Sequence, residues 1–224
     1  MAKKKRIMVI SPHPDDETLG AGGAISKFIK QGHDLMVLTI SGHLPPLYTR
    51  EEYELTTDEA LKAYKVMGVE SFKFLEIPAT MIGDEPVHSL NSKISSVLKE
   101  FEPTDVFCPF PDRHIDHRLI FDSVMVATRP VNYGKKIQTL AAYETLSETH
   151  WNAPYIESNF THNLIIDISQ NFEQKIEALS CFKSQITKKD GPRSLEAVQA
   201  LAKFRGSQNG CKFAEAFKVV RIVI

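Results

Sequence analysis

Cysteine is scarce in this sequence. Its 224 residues include three cysteines, Cys108, Cys181 and Cys211, which form neither a CxxC pair nor an even set. This number and spacing argue against a disulfide framework and against a cysteine-based zinc site. A reducing, cytoplasmic compartment is the expected location.

The sequence also lacks an excess of charge of either sign and lacks a long apolar run. Lys plus Arg number 27 against 28 Asp plus Glu, a formal net charge of -1, so no global field attracts nucleic acid. The apolar stretch near the start, Ile7 to Ile10, is too short for a signal peptide or a membrane span. We therefore expect neither nucleic acid nor a membrane span, while a homo-oligomer stays open.

No internal repeat, low-complexity tract or Gly/Ser linker divides the chain. Hydrophobic residues make up 42% and charged residues 25%, the usage of an ordinary globular protein. A chain of this length buries a sizeable core. We expect a single domain over residues 1–224.

Apolar stretches of strand length alternate with segments of helical periodicity. The predicted strands are Arg6–Ser11, Leu35–Ile40, Phe72–Leu75, Asp105–Cys108, Ile137–Tyr143, Asn163–Ile168 and Phe217–Ile224. The predicted helices are Glu17–Gln31, Thr56–Met67 with a capping box of Thr56 and Glu59, Leu90–Phe101, one from about Asp116, and two near Asn171–Phe182 and Ser194–Phe204. This alternation predicts an α/β fold, a Rossmann-like doubly wound and mostly parallel sheet with helices on both faces.

Two long irregular stretches, 41–55 and 144–162, follow predicted strands. Ligand-facing loops are expected at the carboxyl ends of strands in such folds. Both stretches are therefore candidate walls of a pocket.

Polar residues cluster at the ends of two strands. The segment 11–17, SPHPDDE, follows the first strand, and the segment 112–117, DRHIDH, follows the fourth. Taken alone, each is also compatible with ordinary helix capping and solvent-exposed side chains. In a sheet of strand order 3-2-1-4-5, however, the first and fourth strands flank the point where ligands bind. Both clusters then meet in one crevice.

The combined cluster contains the ligand set of a catalytic metal. His13, Asp16 and His117 supply two imidazoles and one carboxylate, three ligands that leave a position open for water. Zn²⁺ is the favoured ion, one per chain, and Fe²⁺ also suits such a set. A water activated in this way becomes a nucleophile near neutral pH.

The remaining members of the cluster suit acid–base and electrostatic roles. Asp15, next to Asp16 but not a ligand, is the candidate general base, and His114 is the candidate cationic partner of a developing oxyanion. Asp116 or Asp112 is expected to orient one of the histidines through its other ring nitrogen.

Three other functions compete with a metal-dependent amide hydrolase. Clustered Asp and His also build two-metal phosphoesterases, which require a bridging carboxylate. A non-catalytic module with a structural metal is disfavoured because a structural metal is usually bound by four protein ligands, whereas this set supplies three. A nicotinamide-binding fold is disfavoured because the first strand leads into HPDDE and not into GxGxxG.

The two motifs resemble those of the PIG-L/LmbE-like N-deacetylase family. The first continues as PHPDDETLG over residues 12–20 with Gly22 and Gly23, and the second is DRHIDH over 112–117. Weaker agreement extends through Lys175, the pair Ser184 and Gln185, the pair Arg205 and Gly206, and the segment 214–217.

The resemblance implies a metal-dependent hydrolase that removes an N-acetyl group from a small amino sugar or glycoconjugate. It implies the same roles for the five residues His13, Asp15, Asp16, His114 and His117. Many relatives place a substrate-binding arginine at the start of the second helix, where counting back from Gly68 finds Thr56. Arg50 is the candidate substitute, and Asp112, which stands where the thiol-pathway relatives have a tyrosine, is the other candidate substrate contact.

Overall fold

Strands and helices alternate along the part of the chain that the computed structural model describes, residues 4–153, 155–187 and 190–224. The strands are β1 Arg6–Ser11, β2 Asp34–Gly42, β3 Ser71–Pro78, β4 Asp105–Pro109, β5 Thr139–Tyr143, β6 Leu164–Asp167 and β7 Ala214–Ile222. The helices are α1 Asp16–Lys30, α2 Arg50–Met67, α3 Val87–Phe101, α4 Ile115–Ala127, α5 Phe172–Leu179 and α6 Leu195–Ser207. Within the described ranges no helix combines the length and the apolar character that crossing a bilayer requires.

The strands form one sheet in the order β3-β2-β1-β4-β5-β7-β6. The first five are parallel, whereas β7 runs antiparallel to both β5 and β6. The predicted doubly wound fold and the order 3-2-1-4-5 are confirmed. The antiparallel edge is an addition that the strand–helix alternation did not indicate.

Helices cover both faces of the sheet because its central strands are apolar on both sides. In β1, Ile7 and Val9 contact the cluster built with α1, α2 and α5, whereas Met8 and Ile10 contact the cluster built with α3 and α4. Neighbouring residues of a strand point to opposite faces, so this short run serves two cores. A strand buried on both faces holds the loops at its carboxyl end in place.

The N-cap of helix α2 lies seven residues before the predicted N-cap, Thr56. Its N-cap is Thr49, whose hydroxyl accepts the N–H of Glu52 while the Glu52 carboxylate accepts the N–H of Thr49. The predicted capping box is therefore wrong: Thr56 donates its hydroxyl to a carbonyl within the helix, and Glu59 accepts hydrogen bonds from Ser184. Two capping-box patterns lie one after the other, and the helix uses the first.

The predicted irregular stretches differ in their outcome. The first shrinks to residues 43–49, because β2 extends to Gly42 and α2 starts early. The second connects β5 to β6 and contains the 3-10 turn Thr149–Trp151. Pro154, which belongs to this predicted stretch, lies outside the described residues.

Candidate functional site

The two polar clusters lie side by side at the carboxyl edge of the sheet. β1 ends at Ser11 and leads to His13, and β4 ends at Pro109 and leads to His117. Because β1 and β4 are parallel neighbours, these segments leave adjacent strands at the same edge. The rings of His13 and His117 are 5.8 Å apart, measured between their centroids.

His13, Asp16 and His117 bring their donor atoms together. Nδ1 of His13 is 3.0 Å from Oδ2 of Asp16, and Nε2 of His117 is 3.3 Å from the same oxygen. One donor atom from each residue can be chosen so that all three lie within 4.8 Å of one another. Two ligands of a tetrahedral zinc ion at about 2.0–2.2 Å lie roughly 3.3 Å apart. The two distances from Asp16 are compatible with donor atoms that share one ion.

The side chain of His117 supports this arrangement. It is fully buried, and neither ring nitrogen makes a well-aligned hydrogen bond with the described residues. A buried ring nitrogen whose nearest acceptor is poorly aligned loses hydrogen-bond energy, which a metal ion at Nε2 would restore.

The charge around the donors also favours a cation. Burial lowers the pKa of both histidines, but their carboxylate neighbours outweigh burial. The pKa of His13 rises to about 9, through Asp116 and Asp16, and that of His117 to about 10, chiefly through Asp16. The residues present thus fit a divalent metal ion.

A separate carboxylate contacts the other ring nitrogen of each histidine. Nε2 of His13 is hydrogen-bonded to Oδ2 of Asp116 at 2.9 Å, and Nδ1 of His117 is 2.9 Å from Oδ1 of Asp112. Carboxylates in such positions fix the orientation of ligand histidines and raise their basicity. The sequence did not indicate whether Asp116 or Asp112 orients a histidine. In the structure, Asp116 contacts His13 and Asp112 contacts His117.

Asp112 does not line the pocket, which corrects its assignment as a substrate contact. Its side chain is completely buried. Besides the contact with His117, its carboxylate accepts the backbone N–H of His114 at 3.1 Å and the hydroxyl of Thr149 at 2.8 Å. Both carboxylate oxygens face the protein interior, so a substrate cannot reach them.

Asp15 is a buried carboxylate in a strained backbone conformation. It is 3% exposed and has φ 125°, a value that residues other than glycine rarely adopt. Burial and the charge of Asp16 raise the pKa of Asp15 well above its ordinary value, against the opposing charge of Arg193. Strain and perturbed pKa values concentrate at functional sites. A carboxyl group with a raised pKa is suited to exchange protons near neutral pH.

His114 is a neutral imidazole, which corrects the expectation of a cationic one. Its Nδ1 accepts the backbone N–H of Asp116 at 3.1 Å and thereby caps α4. The ring proton is therefore on Nε2. Burial, together with the charges of His13 and His117, lowers the pKa of His114 to about 4.

Arg50 lies outside the pocket, which corrects its assignment as a substrate contact. It is the first residue of α2, and its half-exposed side chain is 3.5 Å from Glu54 and 3.6 Å from Glu76. Its guanidinium also lies over the ring of Tyr53. Thr56 is the residue of this helix that lines the pocket.

A pocket of about 170 Å³ opens beside His13, Asp15 and His114. Both irregular stretches contribute to its wall, as predicted: Tyr48 from the first and Glu148 from the second. Trp151, which belongs to the second stretch, is exposed and does not line this pocket.

Sequence reasoning missed Arg193, Glu148, Gln185 and His43, which also line the pocket. Arg193 precedes the N-cap of α6 and belongs to no motif. Gln185 carried one weak signal, since it belongs to the pair Ser184 and Gln185 of the family pattern. Residues that reach a site from late loops cannot be identified before the chain is folded.

Comparison with known proteins identifies the relatives of this chain. A diacetylchitobiose deacetylase of Thermococcus kodakarensis is 26% identical over 96% of this chain and 83% of its own length. The structure superposes on an N,N'-diacetylchitobiose deacetylase of Pyrococcus horikoshii with a TM-score of 0.77 and 21% identity, over 96% of this chain and 84% of that one.

The same fold also carries other chemistry. The 4-carboxy-2-hydroxymuconate hydratase of Pseudomonas putida KT2440 has a TM-score of 0.79 and 18% identity, over 98% of both chains. Fold likeness alone therefore does not define the reaction. The profile of the family described as PIG-L, GlcNAc-PI de-N-acetylase, matches residues 8–128, a range that includes both polar motifs. The chain belongs to the PIG-L family of de-N-acetylases.

Proposed function

We propose that the protein is a zinc-dependent N-deacetylase that removes the acetyl group from an amino sugar. One metal ion per chain is held by His13, Asp16 and His117. The observation that carries the proposal is the convergence of these three donors beside Asp15 and His114 at one pocket. The activity of the Thermococcus kodakarensis relative on diacetylchitobiose supports an amino sugar as the substrate.

Amide hydrolysis requires a nucleophilic water, a base and a donor to the oxyanion. When bound, a divalent metal ion supplies Lewis acidity that lowers the pKa of water to about 7. Asp15 accepts the proton of the attacking water and later delivers it to the departing amine, so that the amide C–N bond breaks and acetate and a free amino sugar form. Its position at the pocket and its raised pKa suit both steps.

His114 stabilises the oxyanion that develops on the acetyl carbonyl oxygen. Because its Nδ1 already accepts the N–H of Asp116, the proton on Nε2 is available as a donor. A donor held by the start of a helix needs no reorganisation as the charge develops. Asp116 and Asp112 keep the rings of His13 and His117 in the ligand orientation.

Metal content and acetate release, measured on the same purified batch, test this function. The protein is stripped of metal and reloaded separately with Zn²⁺ and, without oxygen, with Fe²⁺. We expect about one zinc per chain and acetate release from N-acetylglucosamine or N,N'-diacetylchitobiose. Full activity with iron but not with zinc would identify iron as the catalytic metal. Two metals per chain together with hydrolysis of phosphate esters would identify the protein as a phosphoesterase.

Substitution of the base separates catalysis from metal binding. Asp15→Asn is expected to retain zinc and to lose turnover by about 10²- to 10⁴-fold, the usual contribution of a general base. Asp58→Asn is the matched control, because Asp58 is an exposed aspartate outside the pocket that pairs with Lys62. Unchanged turnover in Asp15→Asn would remove Asp15 from the mechanism. The cytoplasmic location stays a prediction.

A further inference from the structure

Arg193 enters the pocket from the chain segment before α6 and is fixed there by uncharged groups. Its Nε donates to the hydroxyl of Ser147 at 2.9 Å, and its Nη1 donates to the side-chain carbonyl of Gln185 at 3.2 Å. The side chain is 27% exposed. The guanidinium is therefore held in one place while part of it faces the pocket.

Two carboxylates flank this guanidinium at long range. Oδ2 of Asp15 is 3.5 Å from Nη1, and Oε1 of Glu148 is 3.6 Å from Nη2. Charge-assisted hydrogen bonds are normally about 2.7–2.9 Å long. Both contacts exceed this length, so N–H groups of Arg193 and an oxygen of Glu148 keep hydrogen-bonding capacity for a ligand.

The guanidinium of Arg193 itself lies between two acidic side chains. One guanidinium faces the carboxylates of Asp15 and Glu148, and all three side chains line the pocket. A phosphate or carboxylate of a substrate at this guanidinium would lie beside the acidic side chains of Asp15 and Glu148, which is unfavourable.

We infer that Arg193 and Glu148 together bind neighbouring hydroxyl groups of an uncharged amino sugar and discriminate against sugars that carry a phosphate or a carboxylate. One hydroxyl accepts a hydrogen bond from Arg193 while its neighbour donates one to Glu148, so a vicinal diol matches the pair. This inference rests on the proposed deacetylase function and names its substrate class.

The substrate preference of the zinc-loaded enzyme tests the inference first. Acetate release is measured from N-acetylglucosamine and N,N'-diacetylchitobiose, and from N-acetylglucosamine 6-phosphate and N-acetylmuramate as the charged sugars. We expect kcat/KM to be higher for the uncharged sugars by at least about tenfold. Equal or better hydrolysis of a charged sugar overturns the inference and leaves the deacetylase function standing. Hydrolysis of none of them overturns both.

Two substitutions locate the discrimination. Glu148→Gln removes a charge but keeps the shape of the side chain. It is expected to lower the ratio of kcat/KM for N-acetylglucosamine to kcat/KM for N-acetylglucosamine 6-phosphate by about tenfold. Arg193→Lys keeps the charge but loses the planar set of donors, and it is expected to raise KM for the uncharged sugars about tenfold with a smaller change in kcat.

Arg129→Gln serves as the control, because Arg129 is exposed just after α4 and its side chain donates to the backbone carbonyl of Val126. An unaltered preference in Glu148→Gln, or a change in kcat alone in Arg193→Lys, contradicts the inference.

Discussion

Because the backbone of Asp15 is strained, substitutions at this residue should affect the free energy of unfolding and the turnover differently. Asp15 precedes α1 with φ 125° and ψ -32°, and its side chain makes no capping hydrogen bond to the helix. Such a conformation costs a residue with a β-carbon roughly 1–3 kcal/mol. Glycine adopts it freely but loses about 0.5–1 kcal/mol more conformational entropy on folding. Asp15→Gly should therefore be more stable than Asp15→Ala by about 1 kcal/mol.

Thermal unfolding of the metal-free variants measures this difference. For a chain of this size, 1 kcal/mol corresponds to about 2–4 °C in Tm. Both variants lack the carboxylate and should lose turnover equally, by about 10²- to 10⁴-fold when zinc is restored. Glycine thus raises stability without raising activity.

The same pair of substitutions at Asp58 is the control. Asp58 lies inside α2, where glycine is about 1 kcal/mol less favourable than alanine, so the order of stabilities should reverse. A variant Asp15→Gly that melts at or below Asp15→Ala would refute the strain argument.

Three further substitutions test the contacts around the site. Asp112→Asn should weaken zinc affinity by about 10- to 100-fold in chelator competition, because the carboxylate beside the ligand histidine is lost. Gly20→Ala should destabilise the fold by about 1–3 kcal/mol in urea unfolding, since a β-carbon there would lie 2.2 Å from the ring of Tyr143. Glu144→Gln should cost roughly 3 kcal/mol at pH 7, because the buried Glu144 carboxylate accepts two hydrogen bonds from Arg205. Burial raises the pKa of Glu144, but its hydrogen bonds and charged neighbours outweigh burial and hold this pKa below the ordinary value of 4.5. The stabilisation is therefore present above pH 4.5, and the difference in stability between wild type and variant shrinks as the pH falls further.

The sequence predicted the parallel half of the sheet because its signals there are local. Strands such as β1 and β4 are short apolar runs, and each is followed by a helix with its own periodicity. The direction of β7 depends on how it pairs with β5, and pairing is a long-range property that no local pattern records. The predicted start of α2 was wrong for a different reason. Two capping-box patterns compete, and the surrounding packing selects between them.

The candidate site shows the same division. His13, Asp15 and Asp16 are consecutive or nearly so, and the spacing of His114 and His117 puts both at the start of one helix. Chain order and the position of the two strands were enough to bring these residues to one edge. Charge states were not predictable in this way, since the neutral form of His114 follows from a hydrogen bond and from burial that appear only in the folded chain.

The buried carboxylates of this cluster favour a cation among them. Asp112, Asp116 and His117 are fully buried, and Asp15 and Asp16 are nearly so. Carboxylates brought so close together out of water destabilise a fold unless a positive charge compensates them. In the metal-free chain protons on His13 and His117 supply that compensation, which is why the pKa of each is raised. A divalent ion bound at the same donors would replace those protons. The buried charges that depart from the usual rules of core formation thus lie where the proposed chemistry needs them.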